Sequence, residues 1–364
     1  MNKPSTTNGT SSMSETSSVK TVTIMNKVSR IVQGLLFFVV TIGILWFGIT
    51  NGTGIVSDTT RSGENIIQLE NYTGEGHRTM VSYEVPPRRV LITYPGATEL
   101  LIALGLQDRI VATMKPYGVE PPELAGAYDA LPKLEAPFVP TKEEVLQEKP
   151  DLVMAWNHHF LPNALGDVRY WHKRDIATYI VPATVRKGSP TMEGTVFPFI
   201  DNVGAIFGVP EEAARYKESL ADRIAAVRQD AVVRGTTPTV MVLQLYGNSM
   251  YTVYGENYIV YDIVRTAGGQ PLVPQGMSFI GPERILGVDP DYIVLVMTDY
   301  SGNMETFTEE GMNLVKADPN IRHMRAIEAG RVIPVPFGAI NNGNGRVVDV
   351  LEMISAGLNR NSCY

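Results

Sequence analysis

The chain repeats itself once, and that repeat constrains its architecture more than any other feature. Glu143-Glu144-Val145-Leu146-Gln147-Glu148-Lys149-Pro150-Asp151-Leu152-Val153 is echoed by Glu283-Arg284-Ile285-Leu286-Gly287-Val288-Asp289-Pro290-Asp291-Tyr292-Ile293. The leading Glu, the Leu, the Pro and the Asp coincide at a constant offset of 140 residues. Each copy reads as a short helix whose Pro-Asp turn feeds a buried strand. Two similar lobes follow, and lobes set face to face enclose a cleft at the carboxyl ends of their strands.

Strand and helix signals alternate on both sides of the repeat. Arg89-Val90-Leu91-Ile92-Thr93 is a short apolar run ended by Tyr94-Pro95-Gly96, and residues 97–106 follow with helical spacing. Further strands are expected at 110–113, 151–155 and 178–181, and a second set at 239–243, 292–296 and 332–335. A helix around residues 261–266, ended by Gly268-Gly269, belongs to the second set. Strands alternating with helices predict parallel sheets covered on both faces. Between the sets, Pro210–Arg234 carries Pro at the first helical position, Glu211 and Glu212 at the positive end of the dipole, and one apolar stripe of Ala213, Tyr216, Leu220, Ile224 and Val227. Such a helix spans about 37 Å. The predicted fold is therefore α/β, with two similar lobes of parallel-type sheets joined by one long spine helix and a ligand cleft between the lobes.

The N-terminus has a different character. Residues 1–30, rich in Ser, Thr, Asn and Lys, cannot bury enough apolar surface to fold. Residues 31–49 are apolar and as a helix would span about 28 Å, close to a bilayer's hydrocarbon thickness. Lys20, Lys27 and Arg30 precede this segment and Asp58, Glu64 and Glu70 follow it, which leaves the remainder of the chain outside the cell membrane. A cleaved signal peptide is the alternative, although Thr50-Asn51-Gly52-Thr53-Gly54 lacks a small-x-small cleavage site. The expected division is a disordered cytoplasmic tail (1–30), a transmembrane anchor or signal segment (31–49), a linker with a short β region (50–84), an N-terminal lobe (85–190), connecting helices including the spine (191–236) and a C-terminal lobe (237–364). The expected location is the outer face of the cytoplasmic membrane.

A formal charge of −7 without a basic run argues against nucleic-acid binding. Cys363, the one cysteine, excludes an intramolecular disulfide and any multi-thiol metal site.

These features resemble the binding proteins that serve ABC importers of iron-siderophore complexes, haem and cobalamin. The resemblance covers roughly residues 86–358 and rests on the 89–106 motif, the long helix, both Glu-x-x-Leu…Pro-Asp segments, and Asp262-Ile263-Val264 with Ala267-Gly268-Gly269. It implies an extracytoplasmic, non-catalytic solute-binding protein that carries no cofactor of its own. Its partners would be a small-molecule metal chelate and the importer's membrane subunits. It also implies that Glu143 and Glu283, one on each lobe, pair with arginines of those subunits. A glutamate at a helix N-terminus is favoured by the dipole alone, which accounts for each residue singly but less well for the matched pair. Many relatives carry a lipidated cysteine after the signal; this chain has none there, so residues 31–49 would themselves be the anchor.

Loops after the strands supply the expected ligand contacts. They are Tyr94, Met114, Tyr117, Trp156, His158 and His159 in the first lobe, and Tyr246, Tyr251, Tyr254, Phe279 and Phe337 in the second. Lys115, Asn157 and Phe160, with Met250, Met277 and Tyr300, fall in the same loops. The set is aromatic and suits a large, flat or amphipathic ligand. His158-His159 also invites a metal reading, with His159 as candidate ligand. On an extended segment adjacent side chains point to opposite sides, so one of the two would face the cleft. Arg186 and Lys187 read either as contacts to an anionic ligand or as a solvated loop. Two further functions stay open: a metal-dependent hydrolase using His158, His159 and Asp175, and a surface protein that keeps the fold without a ligand.

Overall fold

The computed structural model describes residues 65–118, 120–247, 250–274, 279–298 and 303–360. The expected tail, the apolar segment 31–49, Met277 and Tyr300 lie outside the described residues. Among the described residues no helix is long and apolar enough to cross a membrane.

In chain order the N-terminal lobe contains β1 (Ile66–Tyr72), β2 (Arg78–Glu84), β3 (Val90–Ile92), α1 (Pro95–Ala103), β4 (Ile110–Thr113), α2 (Pro122–Ala130), α3 (Lys142–Gln147), β5 (Leu152–Ala155), α4 (Val168–His172) and β6 (Ala177–Ile180). α5 (Phe197–Phe207) and α6 (Pro210–Arg234) lead out of it. The C-terminal lobe comprises β7 (Thr239–Leu245), β8 (Tyr251–Val253), α7 (Ile259–Thr266), β9 (Gln270–Pro271), β10 (Phe279–Ile280), α8 (Pro282–Leu286), β11 (Tyr292–Met297), α9 (Met304–Ala317), α10 (Arg325–Glu328), β12 (Val332–Pro336), α11 (Phe337–Asn341) and α12 (Val347–Arg360).

The N-terminal sheet is parallel throughout, in the order β4-β3-β5-β6. Its central strands are buried on both faces, as their continuous apolar runs require. β6 is an edge, and the short β region expected within residues 50–84 covers it. β1 and β2 form an antiparallel hairpin whose side chains satisfy the edge backbone. Asn71 donates from Nδ2 to the Ile180 carbonyl (3.1 Å) and accepts the Ile180 N–H at Oδ1 (2.7 Å). Tyr83 donates to the Thr178 carbonyl at 3.0 Å. Side chains thus stand in for the missing neighbour strand.

The C-terminal sheet departs from the all-parallel expectation. Its order is β10-β8-β7-β11-β12, with β9 also on β7. β7, β9, β11 and β12 are parallel, while β8 pairs antiparallel with β7 and β10 antiparallel with β8. β8 and β10 are three- and two-residue strands, too short to carry a periodic signal in sequence. The opposite edge, β12, is blunted by composition. Ile293 N–H bonds to the Arg331 carbonyl, so residues 331, 333 and 335 face β11 and residues 332, 334 and 336 face outward. Two of those three are Pro334 and Pro336, which have no N–H to offer another strand.

The internal echo is reproduced in backbone detail. Lys149 and Asp289, 140 residues apart, both adopt the left-handed conformation, with φ of 47° and 37°. In each copy the following aspartate fastens the start of a neighbouring strand. Asp151 accepts the N–H groups of Arg88 (2.7 Å) and Arg89 (2.9 Å); Asp291 accepts the Thr239 N–H at 2.9 Å. An arginine clamps each left-handed carbonyl, Arg89 on Lys149 (3.0 Å) and Arg325 on Asp289 (3.3 Å). The repeat is therefore one turn design used twice, and Pro-Asp is its visible residue.

α6 occupies the residues its apolar stripe predicts, burying Ala213, Leu220, Ile224 and Val227. It packs along α12, where Arg223 bridges Asp349 (2.6 Å) and Glu352 (2.7 Å). The largest buried apolar cluster runs without a break from Val90, Leu100 and Phe199 through Ile224 to Val240, Ile333 and Leu351, so it belongs to both lobes. Separate clusters fill the outer side of each lobe. Backbone contact at the lobe junction is close. A Cβ added at Gly96 would stand 2.2 Å from the Asn342 carbonyl oxygen, and one at Gly343 would stand 2.3 Å from Ala183 Cβ. Shared core and close backbone contact make the junction stiff.

Candidate functional site

The carboxyl ends of β3, β5, β7 and β12 converge where the lobes meet, and aromatic residues follow each strand. Tyr94, directly after the β3 loop, is fully buried, and its hydroxyl donates to the Asn341 carbonyl of the opposite lobe. Its ring lies 5.0 Å from Trp156, which follows β5 and is half-buried. Arg186 stands with its guanidinium 5.6 Å from the Trp156 ring and 4.4 Å from the Tyr258 ring, and donates to the Tyr258 hydroxyl at 3.2 Å. Tyr258 in turn meets Tyr254 edge-on at 4.9 Å. Rings thus stand on both sides of the junction, and the Arg186 cation bridges the Trp156 pair of one lobe to the Tyr258 pair of the other. Arg186 holds a left-handed φ of 51°, uncommon for an arginine and a reason to look for a role at this point.

Trp156, Ala183, Arg186, Tyr254, Tyr258, Ile259, Val260, Ile340 and Asn341 line a narrow crevice of about 10 Å³. That is far below the roughly 300–1,000 Å³ that small-molecule sites occupy, so the crevice is closed as it stands and a ligand requires the lobes to part. On its rim Tyr117 meets Phe337 edge-on across the junction at 5.3 Å, and exposed Tyr246 meets exposed Phe279 at 5.3 Å. Gln244 organises the C-terminal side by accepting from both Tyr254 (2.8 Å) and Tyr246 (3.1 Å). Exposed Met250 adds a polarizable contact beside them.

The histidine pair differs from the extended geometry expected of it. Asn157–Phe160 forms a single 3-10 turn, and the rings of His158 and His159 meet edge-on at 4.5 Å. His158 reaches solvent 4.9 Å from Trp156, and burial of its ring together with Arg186 lowers its pKa. His159 is buried, and its Nδ1 is 2.8 Å from Thr93 Oγ1. Burial, then the neighbouring His158, hold its pKa down to about 3, so the ring is neutral at any ordinary pH. His159 therefore supports the β3 and β5 loops from below, and His158 is the member of the pair that can meet a ligand.

Other expected residues fall elsewhere. Tyr251 belongs to the outer core of the C-terminal lobe and donates to Asp318 at 2.6 Å. The pleat of β8 turns it to the side of Val253, Leu243 and Met241, away from Tyr254. Met114 is buried at the end of β4, where its carbonyl accepts from Tyr128 (2.9 Å). Phe160 is buried in the outer core, Lys115 pairs with Glu135, and Lys187 donates to the Gly76 carbonyl. Asp175 precedes β6 whereas His158 and His159 follow β5, so the three stand at opposite ends of adjacent parallel strands. A larger cavity of about 520 Å³, lined by Asp151, His172 and Asp175, lies at that far end. Its position at the amino ends of the strands separates it from the convergent aromatic loops, so volume alone does not locate the site. Among the described residues no group of three or more His, Cys, Asp or Glu side chains is placed to hold a metal ion.

Glu143 and Glu283 occupy equivalent places, the second residues of α3 and α8, and both are exposed. α3 is set by a capping box in which Thr141 accepts the Glu144 N–H and Glu144 accepts the Thr141 N–H. Glu144 does the capping, which leaves Glu143 outside that hydrogen-bonded set.

Sequence reasoning missed Tyr258, Gln244 and Asn341. Gln244 had a signal, a lone amide inside an otherwise apolar strand; Asn341 contributes a backbone carbonyl, which no side-chain pattern reveals.

No curated protein sequence matches this one. A family model described as periplasmic binding protein matches residues 90–338. Solved structures with the same fold include a periplasmic binding protein from Veillonella parvula, 24% identical with a TM-score of 0.67, the match covering 81% of this chain and 92% of that one. An ABC-type Fe3+-hydroxamate transport protein from Saccharomonospora viridis is 21% identical over 80% of this chain and 98% of its own, with a TM-score of 0.64. A periplasmic heme binding protein from Pseudomonas aeruginosa is 20% identical over 76% of this chain and 94% of its own, with a TM-score of 0.61. At these identities the structures establish the fold, and the family match spans most of the chain: the protein belongs to the periplasmic binding protein family.

Proposed function

We propose that this chain is the extracytoplasmic solute-binding component of an ABC importer. It captures an iron chelate (a siderophore complex or haem) or a cobalamin-like complex between its lobes and hands it to the permease without altering it. The observation that carries this reading is the aromatic band from Tyr94 through Trp156 and Tyr258 to Tyr254, capped by Arg186, at the loop-bearing ends of both sheets. Rings of this kind bind flat or amphipathic ligands by stacking, and the Arg186 cation favours a ligand with anionic edges. Relatives with this fold include proteins described as binding a siderophore complex or heme, which supports the ligand class.

Docking is assigned to Glu143 and Glu283, one exposed carboxylate on the same turn of each lobe. Matched carboxylates at fixed separation orient a partner that carries two guanidinium groups. The N-terminal segment 31–49 is assigned to hold the protein at the outer face of the membrane.

Native mass spectrometry and absorbance after exposure to haem, cobalamin and ferric siderophores test the ligand class; a 1:1 complex with one of them is expected. The double variant Glu143→Ala, Glu283→Ala is expected to keep that complex and lose transport. Undiminished transport would sink the docking assignment. The hydrolase reading has no support in the geometry, since Asp175 is remote from the histidines and His159 is engaged with Thr93.

A further inference from the structure

The lobe junction contains a second group of chemistry-bearing residues that ligand capture and docking leave unused. Glu99, on α1 of the N-terminal lobe, has a side chain 1% exposed; Glu120, after β4, is 4% exposed. Arg346, at the entry to α12 of the C-terminal lobe, is 10% exposed. One guanidinium nitrogen of Arg346 donates to both carboxyl groups, to Glu99 Oε1 at 3.0 Å and to Glu120 Oε2 at 3.2 Å. Asn342 Nδ2 also donates to Glu99 Oε1, and Asn344 Nδ2 donates to Glu99 Oε2 at 2.7 Å. Asn344 further donates to the Gly96 carbonyl at 2.8 Å. Every partner from residues 342–346 comes from the lobe opposite Glu99.

Two features of this group call for a proton. The carboxyl groups of Glu99 and Glu120, both buried, converge on the same Arg346 nitrogen, which holds them together away from water. The charge count agrees, because two buried carboxylates face one buried guanidinium, and a lone excess charge is costly inside a protein. We propose that the Glu99–Glu120–Arg346 cluster is a proton-binding site that joins the two lobes, with Glu99 neutral beside ionised Glu120, and that loss of this proton loosens the junction.

Among the described residues the surroundings leave no other group to neutralise the excess charge. Tyr94, Tyr128 and Tyr216 face the cluster from the β3 loop, α2 and α6, and burial raises all three so that they stay neutral. Asp129 on α2 adds further negative potential at Glu120. Arg346 Nε stands 3.9 Å from Asp349 on α12, and Asp349 is already bound, with Glu352, by Arg223 of α6. Burial, the largest influence on Glu99, moves its pKa to about 8. A carboxyl raised above its unfolded value contributes stability that is complete below the unfolded pKa and is lost as pH rises towards the folded one. The junction is thus weakened across the window from about pH 5 to about pH 8 and carries an ionised, unbalanced cluster above it.

The test uses the full chain and the isosteric variant Glu99→Gln, which keeps the shape and removes the titration. Carbon-13 NMR of glutamate-labelled protein is expected to show one carboxyl that remains protonated at neutral pH and is missing in Glu99→Gln. The melting temperature of wild type should fall relative to Glu99→Gln through the same window, then run parallel to it at higher pH. Spin labels at exposed Lys173→Cys and Lys316→Cys, with Cys363→Ser to remove the native thiol, read the distance between lobes. The distribution should broaden above about pH 8 in wild type and stay narrow when Glu99→Gln is added. Glutamates that all titrate in the ordinary range, or melting curves for wild type and Glu99→Gln that stay parallel throughout, would overturn the proposal.

Discussion

Replacing Asn71 by alanine tests whether the β1–β2 hairpin is part of the N-terminal lobe rather than a linker in front of it. Asn71 is 1% exposed, and its amide makes a reciprocal pair of hydrogen bonds with the backbone of Ile180, at 3.1 and 2.7 Å. Alanine removes both partners and leaves a buried N–H and a buried C=O unsatisfied at the edge of β6. Each such group costs about 1–3 kcal/mol, so the variant should lose about 2–6 kcal/mol in total. That is a large share of the roughly 5–15 kcal/mol that holds a domain folded. Urea denaturation followed by tryptophan fluorescence reads this directly, because Trp156 and fully buried Trp171 both lie in this lobe. Tyr83→Phe removes a single bond to the Thr178 carbonyl and should cost less, about 1–3 kcal/mol. A loss under about 1 kcal/mol for Asn71→Ala would refute the reasoning, since it would mean water already reaches the β6 edge.

Other outcomes follow from the same geometry. His159, held neutral down to about pH 3 while the unfolded chain protonates near its ordinary value, makes stability fall as pH drops from about 6.5, by about 1.4 kcal/mol per pH unit. His159→Gln should flatten that slope in denaturation curves taken at several pH values. Gly343→Ala combines a φ of +58° with a Cβ only 2.3 Å from Ala183, so it should lower stability by about 2 kcal/mol or more in thermal melts.

The echo at residues 143–153 and 283–293 carried the two-lobed architecture because turns with demanding backbone geometry leave few residue choices. Pro150-Asp151 and Pro290-Asp291 were visible for that reason. The left-handed Lys149 was not, because an arginine from another strand stabilises it and nothing in its own identity announces the conformation. The spine helix was legible to the residue from its cap and stripe. The cleft was legible as a list of loops but not as an arrangement. Trp156 and Tyr254 join the aromatic band, whereas Tyr251, three residues from Tyr254, turns into the outer core because strand pleat decides sidedness. The junction cluster was hidden by distance along the chain: Glu99 and Arg346 are 247 residues apart, and Asn341-Asn342-Gly343-Asn344-Gly345-Arg346 resembles an ordinary polar loop until it is seen to close on α1.

Trp156 offers the most direct measurement of the central claim, that a chelate is held between the lobes against the aromatic band. It is half-buried at the crevice, while Trp171 is sealed in the outer core. Fluorescence titration with ferric siderophores, haem and cobalamin should show saturable quenching by at least one of them. Trp156→Phe should remove most of that quenching, and Trp156→Ala should weaken affinity about tenfold or more, or about 1.4 kcal/mol. Saturable binding of a chelate with affinity unchanged in Trp156→Ala, or no saturable quenching by any of the three, would contradict the account.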